Sequence, residues 1–499
     1  MFWEYITDYF DLRSVPLCFA TFLLLSWLFR PRNDLPPGPW SVPILGSIPY
    51  LAFAMYRSPM EPHRFLQTTA RKYGNVFSLN ALGYTVVVLN TYETIKEAFQ
   101  NPLLSDRPRN VLAEEMHVTP GVANACGESW KQQRRFSLST LRGFGVGKRT
   151  FEGQISQETQ TLLDEFGKRQ KQPFDPQYLI GNAVSNVICS VVFGQRYEYT
   201  DEDFKELLSI INQQLTILGA GGLLPLIPFM KYFRPELSRL FKENMERQIK
   251  FVNKIIDNHR THHDPNNPRD FIDVFLTEIE ENQKENLQSH LNDQTLTTTI
   301  MQLFMAGSET TATTLRWTLL YMMAYPDIQL QLQEEIDNKV GRDRLPQLSD
   351  IQNLPFTGAT LLEIQRIATI VPSGVVHCAA ETTVLNGYTI PKGAFLLSNL
   401  WAVLHDPKVW NEPSQFNPSR FLDPSGYVIQ RPELIPFSIG RRICLGENLA
   451  KMELFLFFTH MMHQFTFMAP NDSSELSFEG ISGVTYQPKP FKVVVIPRQ

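Results

Sequence analysis

The 499-residue chain has little cysteine: five, at positions 18, 126, 189, 378 and 444. Their odd number and wide spacing argue against a disulfide framework and for a reducing compartment. No CxxC pair or histidine-rich zinc spacing occurs. Charge is also scarce, at 19% of residues, and the net −5 gives no reason to expect a nucleic-acid partner. A Gly-x-Gly-x-x-Gly dinucleotide fingerprint is missing, as are internal repeats, long low-complexity tracts and any strong linker after residue 46. At 43% hydrophobic residues, the chain reads as a large globular body from there to its end.

Near the start, Val15 to Phe29 is uncharged and mostly apolar, with Phe2, Trp3, Tyr5, Tyr9 and Phe10 ahead of it to extend it at an interface. Glu4, Asp8 and Asp11 outnumber Arg13 before the run, and Arg30 and Arg32 follow it. That pattern predicts an uncleaved anchor with the body on the cytosolic side, and a run this short suits the thin endoplasmic reticulum bilayer. Leu35 to Gly46 is too rich in proline for a helix and reads as a stiff tether. The expected division is residues 1–33 anchor, 34–46 tether and 47–499 body.

Within the body, hairpins are expected at Val76 to Leu89, turning near Gly83, and at Thr382 to Leu397, turning at Asn386-Gly387. Most of the rest has helical periodicity, so the fold class is mainly α with a minor β-sheet region. Ile210 to Met230 carries no charge and reads equally as core or as a second membrane contact. Lys131, Arg134, Arg135, Arg142, Lys148 and Arg149 form a basic cluster suited to an acidic partner, with a solvated helix face as the plain alternative.

Phe437 to Gly446, Phe-Ser-Ile-Gly-Arg-Arg-Ile-Cys-Leu-Gly, places Cys444 on a glycine-bracketed turn just ahead of an apolar helix from Glu447. Helix-end N–H groups there favour thiolate, the metal-ligating form; a buried free cysteine is the alternative. Thr295 to Tyr325 is the longest helical pattern and ends at Pro326. At its middle, in Ala306-Gly307-Ser308-Glu309-Thr310-Thr311, the Thr310 hydroxyl reaches the Ala306 carbonyl and opens a groove beside an alcohol and a carboxylate. Trp130 and Arg134 share a helix face and suit one anion, with Arg107 and His377 as further donors. Glu363 and Arg366, flanked by apolar residues, read as a buried pair with Arg420 as a third member.

These residues resemble the cytochrome P450 haem-thiolate monooxygenases, specifically the microsomal family 2. The motifs fall in that family's order: the Pro-Pro-Gly-Pro tether, Trp-x-x-x-Arg, Ala-Gly-x-Glu-Thr-Thr, Glu-x-x-Arg, Phe-Asn-Pro-x-Arg-Phe and Phe-x-x-Gly-x-Arg-x-Cys-x-Gly. Gln172 to Tyr199 and Thr314 to Tyr325 look most like the arachidonate epoxygenase subfamily. The resemblance implies a P450 fold with an N-terminal membrane anchor, haem b (iron protoporphyrin IX) and O2. Cys444 would be the iron ligand, with Arg107, Trp130, Arg134, His377 and Arg442 on the haem propionates and Phe437 beside the sulfur. A thiolate donates electron density to iron and favours O–O cleavage. Thr310 and Glu309 would manage protons, and Glu363, Arg366 and Arg420 would form a structural triad.

The implied reaction hydroxylates or epoxidises a lipophilic substrate, such as a fatty acid, an arachidonate-like lipid, a steroid or a xenobiotic. Electrons would come from NADPH through NADPH-cytochrome P450 reductase, docked near Arg135, Arg142, Lys148 and Arg441, with cytochrome b5 as a further partner. The alternatives are a haem-thiolate isomerase or dehydratase acting on lipid hydroperoxides without reductase, and a haem-binding sensor or carrier without turnover. Candidate pocket residues by family position are Val111, Ile217, Ile300, Phe304, Val371, Val375 and Val484, all apolar, so few polar contacts are expected to orient the substrate. Two departures stand out. Met305 occupies a position that usually holds Gly or Ala in the family, so a narrower or reshaped pocket is expected, and Val376 replaces the proline that commonly precedes the His377 position.

Overall fold

The computed structural model describes residues 18–22, 24, 25, 34–42, 45–58, 60–220, 232, 234–471 and 476–498. Of the expected anchor, residues 18–22, 24 and 25 are helical and the remainder lies outside the described residues. Among the described residues, no helix is long and apolar enough to cross a membrane. The chain forms two compact units: Met1–Ser105 with Val375–Ala402, and Asp106–Gly374 with Val403–Gln499.

The smaller unit holds helices α1 (Ile48–Arg57), α2 (Pro62–Tyr73) and α3 (Tyr92–Gln100), and strands β1 (Val76–Ala81), β2 (Tyr84–Leu89), β3 (His377–Cys378), β4 (Thr383–Leu385), β5 (Tyr388–Ile390) and β6 (Phe395–Ser398). One sheet runs in the order β1-β2-β6-β3, with β6 parallel to β2, and β4-β5 form a separate ribbon. Both expected turns occur. Gly83 has φ +86°, and Asn386 and Gly387 have φ +49° and +80°, the paired left-handed angles of a type I′ hairpin. The second expected hairpin ends sooner than the sequence suggested, at Ile390, because Phe395–Ser398 leaves to pair with β2. The described part of the proline-rich tether is not helical and lies along β1. Ser78 donates its N–H to the Pro37 carbonyl at 2.8 Å and its hydroxyl to the Pro36 carbonyl at 2.7 Å. A Cβ on Gly38 would stand 1.9 Å from the Ser78 carbonyl oxygen, so only glycine permits this approach.

The larger unit is helical: α4 (Val111–Glu115), α5 (Gly127–Gly143), α6 (Glu152–Gly167), α7 (Gln177–Val192), α8 (Glu202–Ala220), α9 (Pro235–Thr261), α10 (Phe271–Lys284), α11 (Asp293–Ala324), α12 (Pro326–Lys339), α13 (Pro355–Ala368) and α14 (Glu447–Gln464). Two small ribbons pair β10 (Val494–Pro497) with β7 (Phe465–Met468) and β8 (Gly480–Ser482) with β9 (Tyr486–Pro488). The central helix α11 has 32 residues and spans about 48 Å. It starts at a capping box in which the side chains of Asn292 and Thr295 bond each other's backbone N–H, and it stops before Pro326. Every residue from Ala312 to Met323 on α11 is buried, so the helix forms the axis of the core. Gly307 lets α7 approach closely, since a Cβ there would meet Ile188 Cγ1 at 3.1 Å. Ile210 to Gly219 of the uncharged segment are helical, and Ile217 packs with Leu112 and Phe241; residues 221–230 lie outside the described residues.

Candidate active site

Cys444 sits on a tight loop. Its N–H donates to the Phe437 carbonyl at 3.1 Å and the Ile443 N–H to Gly440 at 3.2 Å, with Ser438 at φ +62° and Gly440 at φ +81°. Gly446, by contrast, has φ −91° and open space where a Cβ would be, so only Gly440 is required by backbone geometry. The thiol is accessible to a water-sized molecule yet surrounded by protein farther out, as on the wall of an internal recess. Burial pushes its pKa above the usual thiol value; the Gly446 N–H and Arg134 oppose that only in part. The helix start alone therefore does not give a thiolate in the free protein, and a cation at the sulfur is what would shift the balance.

Beside this loop three guanidiniums crowd together. Arg134, on α5, donates to the Ile443 carbonyl at 2.7 Å, Arg442 to the Ala125 carbonyl at 2.6 Å, and the Arg107 Nε to the Ala123 carbonyl at 3.3 Å. The Arg442 guanidinium lies over the Trp130 ring, 4.1 Å from its centroid, a cation–π arrangement. Burial first, then repulsion from Arg442 and Arg134, pulls Arg107 down to about 9. Burial likewise takes Arg442 to about 10 and lowers Arg134. Like charges gathered at such cost make a receptor for anions.

On α11, the Thr310 hydroxyl donates to the Ala306 carbonyl at 2.8 Å, and Ala306 is exposed among neighbours that are buried or half-buried. Glu309 points elsewhere, because successive helical residues do not share a face. Its Oε1 accepts from Thr313 at 2.7 Å, from Gln487 Nε2 at 2.7 Å and from the Thr485 hydroxyl at 3.3 Å. Burial raises its pKa against Thr313, Arg316 and Thr485. The alcohol thus lies beside the exposed Ala306, while the carboxyl is held by the β8–β9 ribbon.

The remaining expected residues fall in several places. Glu363 accepts from Arg366 at 2.7 and 2.8 Å and from Arg420 at 3.0 Å, and the Asn417 N–H adds a further bond at 2.9 Å. His377 and Val375 belong to the smaller unit, where His377 Nδ1 bonds the Leu104 carbonyl at 3.0 Å and its ring stacks on Phe99. Met305 lines a cavity of about 230 Å³ in the larger unit. Ile300 and Phe304 are core residues, Phe304 packing on Phe193 and Phe204. Val111, Val371 and Val484 are half-buried, with the Val484 N–H bonded to the Leu215 carbonyl at 3.2 Å. Sequence reasoning missed Glu453, fully buried on α14, whose Oε2 accepts from Thr311 at 3.0 Å. A single acid inside the apolar run Leu449 to Phe467 was the available signal.

The arrangement fits haem on this chain's own features: a cationic cluster adjoining an accessible cysteine, for carboxylates and iron respectively, and a small-residue opening on α11. The Cytochrome P450 family model matches residues 36–495, and the chain belongs to that family. It is therefore a monooxygenase of the haem-thiolate class. It is 41% identical to cytochrome P450 2U1 of Bos taurus, over 97% of this chain and 93% of that protein. Human cytochrome P450 2U1 is 42% identical, with 95% and 91% covered, and rat cytochrome P450 2J3 is 39% identical, with 98% and 96% covered.

Proposed function

We propose that this chain inserts one oxygen atom from O2 into a lipophilic substrate, by hydroxylation or epoxidation, with electrons from NADPH through a flavoprotein reductase. The observation that carries the reading is the crowding of Arg107, Arg134 and Arg442 beside Cys444. When bound, haem b supplies O2 binding and O–O cleavage, and a cysteine ligand favours the latter. Arg107, Arg134 and Arg442 would hold its propionates, Cys444 its iron, and the Trp130 ring would orient the Arg442 fork. Thr310 would position a proton at its Oγ1, and Glu309 would be the acid behind it once turned from Thr485 and Gln487. Glu363, Arg366 and Arg420 fix the backbone around Asn411 to Asn417, to whose carbonyls Arg420 also donates.

The exposed Arg135, Arg142, Lys148 and Arg441 would meet the acidic face of the reductase, or of cytochrome b5. Residues 1–33 would anchor the chain in the endoplasmic reticulum membrane, 34–46 would form the tether, and 47–499 the cytosolic haem-thiolate body. The test is a panel of fatty acids, steroids and drugs with reconstituted reductase, the products weighed by mass spectrometry. NADPH-dependent gain of one oxygen atom is expected. Rearranged products from a lipid hydroperoxide without NADPH or O2 would favour the isomerase alternative instead.

A further inference from the structure

The cavity of about 230 Å³ differs from the apolar pocket expected from the sequence. Leu218, Phe241, Met245, Met301 and Met305 make its greasy wall, but Gln214 of α8 and Gln248 of α9 also line it. Both glutamines are deeply buried, at 2% and 4% exposure. Among the described residues, Nε2 and Oε1 of Gln214 and Nε2 of Gln248 have no hydrogen-bond partner. Arg107, Arg109 and Glu114 also line the cavity, but Arg109 pairs with Glu114 at 2.7 Å and the Arg107 Nε donates to the Ala123 carbonyl at 3.3 Å. Gln302 Oε1 accepts from the Ala123 N–H at 2.8 Å, and the Thr298 hydroxyl donates to the Gln294 carbonyl at 2.9 Å. Even the neighbouring amides on the same two helices meet, Asn244 Nδ2 lying 3.4 Å from Gln213 Oε1.

An unpaired buried amide is costly, and such groups ordinarily find protein or solvent partners. Two amides left unpaired on one cavity wall therefore mark a place where a ligand completes the bonding. Rotation about the terminal torsion of glutamine is soft, so both amides can turn into the space. Together they offer N–H donors from two residues and one carbonyl acceptor. A carboxylate would satisfy the nitrogens, but it accepts only and would leave Gln214 Oε1 without a donor. A carboxamide accepts with its oxygen and donates with its nitrogen, and so matches all three atoms. The space of about 230 Å³ holds such a head and a short stretch of chain, with Met301 and Met305 leading the remainder along α11.

We propose that Gln214 and Gln248 form an amide subsite that holds the neutral carboxamide head of a lipophilic substrate. This deepens, and rests on, the monooxygenase reading above. The test uses the full-length, haem-loaded enzyme and three probes of equal chain length: a long-chain primary amide, its methyl ester and its free acid. Calorimetric titration should give the amide roughly tenfold tighter binding than the ester, a preference that Gln214→Leu reduces to about twofold and Gln248→Leu reduces in part. Without ligand, Gln214→Leu should melt no lower than the wild type, since it removes unpaired polar atoms. Equal binding of amide and ester, an amide preference that survives Gln214→Leu, or tightest binding of the acid would each overturn the subsite. Ordered water alone would show as equal binding of amide and ester. If the esters are oxidised without any head preference, the subsite fails while the monooxygenase reading stands. If no probe binds or is oxidised, both fall.

Discussion

Two arginine clusters in the larger unit use the same side chain for opposite ends. Arg366 and Arg420 converge on one internal carboxylate, Glu363, and fill their other donors with the carbonyls of Leu404, Asn411 and Gln415. Arg366 also lies over the Trp410 ring, as Arg442 lies over Trp130. Arg107 instead stands close enough to Arg442 and Arg134 for both to depress it, and Arg134 depresses Arg442 as well. A cluster that closes on its own anion is architecture. A cluster of like charges beside an accessible thiol is a receptor for an anion from outside the chain.

The largest effect should come from removing the internal anion. Glu363→Ala leaves two guanidiniums buried with no counter-charge and should cost about 3–5 kcal/mol in denaturant unfolding. If it cost less than a surface substitution, the distinction between the clusters would fail. Next, Arg442→Leu should loosen haem about tenfold to a hundredfold, read as haem transfer to an acceptor protein. It should leave the stability of the haem-free protein undiminished, because it relieves repulsion with Arg107. A parallel loss of folding stability would make this cluster architectural too.

A smaller effect concerns Glu453, which burial raises to about 8. The folded state then prefers the neutral carboxyl, so the wild type should lose stability as pH climbs from the ordinary carboxylate range through about 8. Glu453→Gln should lack that loss, and the gap between their melting temperatures should widen with pH. A constant gap would mean that the carboxyl is already ionised. The smallest effect belongs to the exposed Glu128–Lys131 pair, where Glu128→Gln should change stability by under about 1 kcal/mol.

Much of this was legible in the sequence where local chemistry decides. Asn386-Gly387 forces a hairpin, Pro326 ends α11, and the Thr310 back-bond to Ala306 follows from helical spacing. The Glu363 triad was visible because charged residues with apolar flanks must find one another. What depended on long-range packing was not visible. Glu309 and Thr310 are neighbours in sequence, but two of the partners of Glu309, Thr485 and Gln487, lie on a ribbon more than a hundred residues away. Gly307 stands in the motif of the expected groove, but its missing Cβ admits α7. Gln214 and Gln248 lie on separate helices, so nothing local revealed that they line one cavity. At Cys444 the helix start, readable in the sequence, favours thiolate, but burial, which is not readable there, outweighs it.

The most direct test of the central claim is the reduced, carbon-monoxide-bound spectrum of the haem-loaded protein beside that of Cys444→Ala. The wild type should show the thiolate-type Soret band and the variant should lose it. The same band in Cys444→Ala would contradict the assignment of this cysteine to the iron.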